Sequence, residues 1–364
     1  MSEKKVMSKK KMNAVVTLGT GGYEQLSYRQ VDVPEISSGE VLIKVLAAGV
    51  NNTEINTRLG WYSSSFTAST NETQVDQESE RKDIADGGWN EKTPFPFIQG
   101  TDCCGEVVEV FKEENKNLLG KRVIVRPCIR VNGDEDLENI WMASDFDGAF
   151  AEYVKVSAKD AFVVDCDWSA EELASIPCAY GTSENMINRA QVKSGDTVLV
   201  MGASGGIGVA SIQLAKRRGA RVIGVCSSSK KEAVLKVGAD QVITREESIL
   251  KVLGEKSVDV VIDNVGGESF SELMEVLVRG GKYASSGAVA GPIVKLDLRV
   301  FYLKDITLIG CTGWDLEVFP NLIEYIKRGD IKPFVWKTYP LESIVDAQKE
   351  FLLRQHVGKI VLKV

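Results

Sequence analysis

The spacing of apolar residues changes character near residue 169. Up to about residue 109, short runs of alternating and β-branched apolar residues predict strands such as 14–17 and 40–46, with turn signals between them. After Ser169, which begins a predicted capping box ending at Glu172, the pattern alternates between strands and helices. The predicted strands are 197–201, 221–226, 241–243, 258–262, 281–285, 307–310 and 359–364, and the predicted helices follow 208 and span 230–237, 269–278 and 316–327. This alternation specifies a parallel, doubly wound sheet covered on both faces, so the chain is predicted to be an α/β protein.

Residues 63–93 interrupt the β-rich part with Ser, Thr, Asn, Gln, Asp and Glu and few large apolar side chains. A loop of this length is uncommon unless it is a lid, a binding loop or disordered. We expect this polar insertion to be mobile in the free protein, because it cannot bury enough apolar surface to fold alone. Phe66 and Trp89 are its candidates for docking over a bound substrate. A disordered surface insertion without a role is the alternative.

A glycine-rich turn lies between the predicted strand 197–201 and the helix that follows it. Ala203-x-Gly205-x-x-Gly208 is a dinucleotide fingerprint with alanine in its first position, and Ser204, Gly206 and Ile207 fill the turn. Ala203 allows the tight turn, Gly205 lets the backbone approach a pyrophosphate, and Gly208 lets the helix lie close on the strand. The N–H groups at the start of the helix would hold the phosphates. Glycine-rich turns of this kind also occur without a ligand.

Composition and charge exclude several classes of function. The chain has 364 residues, 44% of them hydrophobic, and a net charge of −7, which argues against a nucleic-acid-binding surface. Its most apolar window, around residues 198–215, is broken by glycines and serines and predicts no membrane span. Seven cysteines, an odd number, suit reduced thiols in the cytoplasm better than a disulfide framework.

Several stretches together resemble the medium-chain dehydrogenase/reductase superfamily, in its zinc-free, quinone-oxidoreductase-like branch. The matching stretches are 48–51, 100–105, 148–153, 202–208, 238–240, 263–267 and 358–362. The resemblance implies a GroES-like β-barrel catalytic domain made of residues 12–165 and 312–364. It also implies a Rossmann dinucleotide-binding domain at 166–311, an active site in the cleft between the domains, and a homodimer.

The residues at the metal positions of zinc-dependent relatives predict that this protein holds no zinc. Asn51 and Thr101 stand where those relatives have the first two ligands, and only Cys178 stands where the third would be. A catalytic zinc usually has three protein ligands. The single histidine, His356, is interpreted as a surface or structural residue, and no cluster of four cysteines exists for a structural zinc.

The end of the second Rossmann strand predicts NADPH as the cofactor. NAD sites place a carboxylate there for the ribose hydroxyls, whereas this chain has Cys226 followed by three serines and two lysines. Ser227, Ser228 and Lys231 suit an additional 2′-phosphate, and the alternative is a solvated helix start. The resemblance also assigns Asn264 and Gly287 to the cofactor site.

Without a metal to polarise a carbonyl, a conjugated acceptor is the easier substrate. The resemblance places Asn51, Tyr62 and Thr101 near the nicotinamide as hydrogen-bond donors. Many relatives have a tyrosine where this chain has Asn56, so Tyr62 is either a catalytic or a packing residue. The predicted function is reduction of a quinone or an α,β-unsaturated carbonyl by NADPH. An enoyl-thioester reductase and a non-catalytic NADPH-binding sensor or interaction protein remain as alternatives.

Overall fold

The computed structural model describes residues 10–76, 88, 90, 92–133 and 136–364. Short strands fill the first part of the chain, and two helices lie between its third and fourth strands. The strands are β1 (Lys11–Thr17), β2 (Leu26–Asp32), β3 (Glu40–Val50), β4 (Phe97–Ile98), β5 (Cys104–Val110), β6 (Arg122–Val125), β7 (Cys128–Arg130), β8 (Asn139–Trp141), β9 (Tyr153–Ser157) and β10 (Ala161–Val163). The helices are α1 (Asn52–Leu59) and α2 (Thr70–Asp76).

Helices and strands alternate in the rest of the chain. Its elements are α3 (Ala170–Leu173), α4 (Pro177–Arg189), β11 (Thr197–Val200), α5 (Gly206–Arg217), β12 (Arg221–Cys226), α6 (Lys231–Val237), β13 (Gln241–Thr244), α7 (Ile249–Leu253), β14 (Val258–Asp263), α8 (Phe270–Val276), β15 (Leu277–Ser285), α9 (Leu298–Leu303), β16 (Thr307–Gly310), α10 (Val318–Arg328), β17 (Val335–Pro340), α11 (Ile344–Leu352) and β18 (Lys359–Lys363). The predicted capping box exists: the Glu172 N–H donates to Ser169 Oγ and the Ser169 N–H to Glu172 Oε2.

Six parallel strands form the Rossmann sheet in the order β13-β12-β11-β14-β15-β16. Side chains of β11 alternate between two buried cores, with Val198 and Val200 on one face and Leu199 on the other. Helices therefore cover both faces, as the sequence pattern predicts. The strand order reverses between β11 and β14, and a crevice at such a switch point is where ligands bind in sheets of this type.

Mostly antiparallel strands build the other domain. Its larger sheet has the order β10-β6-β5-β3-β18-β17, with β9 also paired to β3, and β2-β1-β4 form a three-stranded sheet. The final strand, β18, lies antiparallel to β3 and parallel to β17, so the end of the chain completes the first domain. The prediction of a GroES-like barrel domain combined with a Rossmann domain is confirmed.

Two local features differ from the sequence prediction. Within the polar insertion, residues 70–76 form the helix α2, where we expected no ordered element. Ser69 caps this helix, because the Glu72 N–H donates to Ser69 Oγ at 3.3 Å and the Ser69 N–H donates to Glu72 Oε2 at 2.9 Å, a cap that the composition of the insertion concealed. Residues 77–87 and Trp89 lie outside the described residues. The antiparallel pair β7–β8 is the second feature, because the sequence pattern predicted neither strand. None of the described helices combines enough length and apolar character to cross a bilayer.

Candidate active site

The glycine-rich turn has the steric layout that the fingerprint predicts. A Cβ added to Gly208 would lie 2.3 Å from the Gly202 carbonyl oxygen, so only glycine lets α5 pack this close to β11. A Cβ on Gly205 would meet nothing nearer than that same oxygen at 3.6 Å, so the space above Gly205 is open. Gly205, Gly206 and Ile207 face this space. The beginning of α5 is thus shaped to receive an anionic group.

This open space belongs to a cleft between the two domains. Among the predicted site residues, those that line the cleft are Asn51, Ser204, Gly205, Gly206, Ile207, Ser227 and Asn264. Ala203 and Gly208 are buried beneath the turn, in the packing roles that the fingerprint gives them. Gly287 lies against the backbone of Asn264, where an added Cβ would be 3.5 Å from its carbonyl oxygen. The domain cleft therefore brings together most of the predicted cofactor residues.

The serine- and lysine-rich segment after β12 lies differently from the prediction. Lys231 and Ser228 are exposed and do not line the cleft. Lys230 does: its ammonium donates to the Arg354 carbonyl oxygen at 2.5 Å and to Ser204 Oγ at 3.3 Å. Burial, and secondarily the nearby Arg245, lower the pKa of Lys230. Of the two lysines in this segment, Lys230 rather than Lys231 therefore lines the cleft.

Two further cations line the same end of the cleft, and sequence reasoning missed both. Arg245 follows β13, and its N–H donates to the Cys226 carbonyl oxygen at 2.9 Å. Arg354 reaches from the other domain and donates to Asn52 Oδ1 at 2.8 Å. β12 ends at Cys226, so no carboxylate stands at the end of this strand to offset these positive charges. This end of the cleft is positively charged.

His356 is buried, with 5% of its surface exposed, so the prediction of a surface residue is wrong and that of a structural residue stands. It lines the cleft and packs on Phe351, with 5.0 Å between the ring centres. Burial, followed by the charges of Lys230, Arg354 and Lys359, lowers its pKa to about 4. The imidazole is therefore neutral at physiological pH and adds no charge to the cleft.

At the other end of the cleft, four side chains form a buried polar cluster: Asn51, Glu54, Asp102 and Lys359. Glu54 and Asp102 are fully buried, and Asn51 and Lys359 are 8% and 4% exposed. The Asn51 amide donates to Asp102 Oδ2 at 2.9 Å, and the Lys359 ammonium donates to Asn51 Oδ1 at 2.5 Å and to Asp102 Oδ2 at 2.8 Å. This cluster centres on Asn51, one of the three predicted hydrogen-bond donors.

Backbone groups hold the two carboxyl groups of the cluster. Glu54 accepts from the N–H groups of Asn51 at 2.7 Å and Thr101 at 2.8 Å, and Asp102 Oδ1 accepts from the Cys178 N–H at 2.6 Å. Burial raises the pKa of Glu54 even though the Thr101 N–H and the Lys359 charge lower it. Thr101 is fully buried and lies outside the cleft lining, and its backbone N–H supports the cluster.

Tyr62 does not line the cleft. Its hydroxyl makes hydrogen bonds with the side chains of Thr53 and Asn56, and burial raises its pKa above the usual range. Asn56 in turn accepts from Thr70 Oγ1 at 3.0 Å, which connects α1 to α2. This arrangement favours the packing role of Tyr62 over the catalytic one.

Comparison with known proteins agrees with this architecture. Residues 37–165 match the alcohol dehydrogenase GroES-like domain, and residues 206–328 match the zinc-binding dehydrogenase domain. Acryloyl-coenzyme A reductase of Metallosphaera sedula is 31% identical over 96% of this chain and 99% of its own length. The chain belongs to the medium-chain dehydrogenase/reductase superfamily.

Two further relatives extend the comparison. Human quinone oxidoreductase is 27% identical over 97% of this chain and 98% of its own length. The solved structure of a candidate alcohol dehydrogenase from Sinorhizobium meliloti has a TM-score of 0.88 and 40% identity, covering 97% of each chain. This protein is therefore an oxidoreductase of the superfamily, whose members use a nicotinamide cofactor.

The residues of this chain do not fit the zinc that one of its domain families is named for. Asn51 offers an amide, and Thr101 turns its backbone N–H to Glu54. Cys178 is the one thiol among these three positions, whereas a catalytic zinc usually has three protein ligands. Across the part of the chain that the structure describes, no group of three or more His, Cys, Asp or Glu side chains could hold a metal ion.

We predict that exhaustive chelation leaves the thermal unfolding midpoint unchanged. A structural or catalytic zinc would contribute binding free energy to folding, and its removal would lower that midpoint. Differential scanning calorimetry with and without chelator, with elemental analysis of the untreated protein, checks this expectation. Stoichiometric zinc that survives chelation would contradict it.

Proposed function

We propose that this protein is a zinc-independent reductase that uses NADPH to reduce a quinone or an α,β-unsaturated carbonyl compound. The main support for this proposal is the Asn51 amide, which lines the cleft at the position where metal-dependent relatives have a metal ligand. Hydrogen bonds with Lys359 and Asp102 hold this amide in place. An amide N–H there suits an acceptor oxygen that needs a hydrogen-bond donor and no Lewis acid.

A bound reduced nicotinamide supplies the hydride. When the hydride adds to the β-carbon of a conjugated carbonyl, the π electrons move to the carbonyl oxygen, and a proton then completes the saturated product. Asn51 Nδ2 donates to that oxygen as its charge develops. The first turn of α5 would hold the cofactor phosphates, and Lys230 and Arg245 would pair with the 2′-phosphate.

An enoyl-thioester reductase is the second candidate function. The name of the Metallosphaera sedula relative, acryloyl-coenzyme A reductase, favours it. Arg354 and Arg245, at the cationic end of the cleft, could also attract the phosphates of a coenzyme A thioester. Since both candidates share hydride transfer to a β-carbon, the acceptor decides between them.

We predict that the protein turns over a conjugated acceptor with NADPH. 1,4-Naphthoquinone, trans-2-hexenal and crotonyl-CoA, each assayed with NADPH and NADH by loss of absorbance at the nicotinamide band, form the test. We expect the fastest turnover with NADPH and one of the first two acceptors. A preference for crotonyl-CoA supports the second candidate. NADPH binding without turnover of any acceptor would leave the sensor or interaction protein.

We predict that Lys230→Ala raises the NADPH dissociation constant about tenfold and leaves that of NADH nearly unchanged, because a charge-assisted hydrogen bond contributes about 1.5–3 kcal/mol. Isothermal titration calorimetry measures both constants. Lys231→Ala is the matched control: it removes an exposed lysine one residue away and should affect neither cofactor. The reverse result, loss in Lys231→Ala alone, would restore Lys231 as the phosphate ligand.

We predict that α2 acts as a lid over the substrate end of the cleft. The Thr70 N–H donates to the Val289 carbonyl oxygen of the Rossmann domain at 3.1 Å, and its hydroxyl donates to Asn56 of the barrel domain at 3.0 Å. Asn71 and Glu72 line the cleft. Lids of this kind exclude water from the reacting groups.

Replacing residues 67–88 with a short Gly/Ser linker should leave the protein folded, because the entropy of loop closure depends only weakly on loop length. We expect NADPH affinity to stay the same and the Michaelis constant or turnover to change severalfold, because the lid is lost. The matched control replaces residues 77–87 alone and keeps α2; it should retain wild-type kinetics. Identical kinetics in all three proteins would mean that the insertion has no role in the reaction.

A further inference from the structure

We propose that Lys359 takes the electrostatic place of the missing metal and, as a positioning residue, fixes and polarises the Asn51 amide that binds the substrate oxygen. This inference rests on the proposed function, since it names the residue that makes Asn51 an effective donor.

The ammonium of Lys359 acts through Asn51 and has no N–H left for a substrate. Its three acceptors are Asn51 Oδ1 at 2.5 Å, Asp102 Oδ2 at 2.8 Å and the Val50 carbonyl oxygen at 3.1 Å. An ammonium has three N–H donors, and each of these acceptors takes one. The Lys359 side chain is 5% exposed, so water does not compete for these bonds.

Lys359 and Asp102 together determine which way the Asn51 amide faces. The ammonium can only donate, so it must meet the amide oxygen, and the carboxylate can only accept, so it must meet the amide nitrogen. One Asn51 N–H is bonded to Asp102 at 2.9 Å. The nitrogen otherwise makes only 3.5 Å contacts with Gly49 and Glu54, weak enough to be exchanged for a substrate oxygen in the cleft.

The positive charge of Lys359, next to the Asn51 amide oxygen, also makes the amide N–H a stronger hydrogen-bond donor. The ammonium draws electron density towards Oδ1, and hydrogen bonds in a chain polarise one another more strongly where the dielectric is low. In metal-dependent relatives the metal stabilises a developing oxyanion directly. Here the cation is one amide further away and stabilises the same charge through the N–H of Asn51.

The glycine turn sets the position of Lys359. The Gly358 N–H donates to the Ser204 carbonyl oxygen at 2.9 Å, and Gly358 pairs with Gly205 as an isolated bridge. The lysine stem then passes Gly206 so closely that a Cβ there would lie 2.7 Å from Lys359 Cδ. The cation at the reacting end is therefore fixed by the turn that receives the cofactor.

The test compares Lys359→Met, Lys359→Arg and the double variant Lys359→Met/Asp102→Asn. Lys359→Met leaves the buried Asp102 carboxylate without its ammonium partner and should lower the stability of the fold sharply. The double variant removes both charges and should fold. Lys304→Met is the matched control, because Lys304 is also nearly buried but donates to the carbonyl oxygens of Met274 and Glu275, outside the cleft.

In the double variant, we expect kcat for trans-2-hexenal to fall about 100-fold, the loss typical of a weakened oxyanion donor. We expect kcat for 1,4-naphthoquinone to fall less than about tenfold, because its phenolate-like product anion is delocalised and needs less stabilisation. The NADPH dissociation constant should change little. Lys359→Arg should restore most of the hexenal rate, and Lys304→Met should lose stability without losing rate.

Equal losses for both acceptors, or full hexenal turnover in the double variant, would overturn the role of Lys359. A second readout does not need turnover: trans-2-hexenamide, an unreduced analogue, is titrated onto the NADPH-loaded protein by calorimetry. We expect the double variant to bind it about tenfold more weakly than wild type, the loss of roughly one hydrogen bond. Equal affinity of the wild type and the double variant for hexenamide, or no binding to the wild type, would refute the inference. A wild-type protein that reduces none of the acceptors would refute only the proposed function.

Discussion

The start of the last strand makes hydrogen bonds with both domains at once, and the shape of the cleft depends on these contacts. Gly358 donates to Ser204 in the Rossmann turn, and the next residue, Lys359, donates to Asn51 and Asp102 in the barrel domain. Gly358 has φ +83°, and a Cβ there would lie 2.2 Å from the Phe334 carbonyl oxygen, so no other residue fits without moving β17. Two consecutive residues thus join the phosphate-binding turn to the reacting end of the cleft.

The buried carboxyl groups beside the cleft are balanced by groups of the protein itself. Asp102 and Glu54 are fully buried, and a buried carboxylate is costly unless it is paired and hydrogen-bonded. Lys359 pairs with Asp102, and the backbone N–H groups of Asn51 and Thr101 serve Glu54. A metal-dependent site would balance such carboxylates with a dication; here a single ammonium and a ring of N–H donors do so.

Features that a contiguous stretch of chain determines could be predicted from the sequence. The strand–turn–helix around Gly205 and the alternating β11 side chains follow from local spacing, and the structure contains both. The Lys359–Asn51 hydrogen bond joins residues 308 positions apart, and local spacing carries no information about it. Lys230 and Lys231 are adjacent, and local sequence does not determine which of the two side chains the short turn ahead of α6 directs into the cleft. Tertiary packing decides this, and it places Lys230 in the cleft.

The two ends of the cleft differ in charge, and this difference bears on what can bind at each. Lys230, Arg245 and Arg354 make one end positive, while the neutral His356 adds nothing to it. At the other end the Lys359 ammonium pairs with the buried Asp102 and donates to the amide oxygen of Asn51. The Asn51 N–H is therefore the group there that can donate to a carbonyl oxygen and stabilise the charge that develops on it. Under the proposed function, the phosphates of the dinucleotide would lie near Lys230 and the acceptor carbonyl near Asn51.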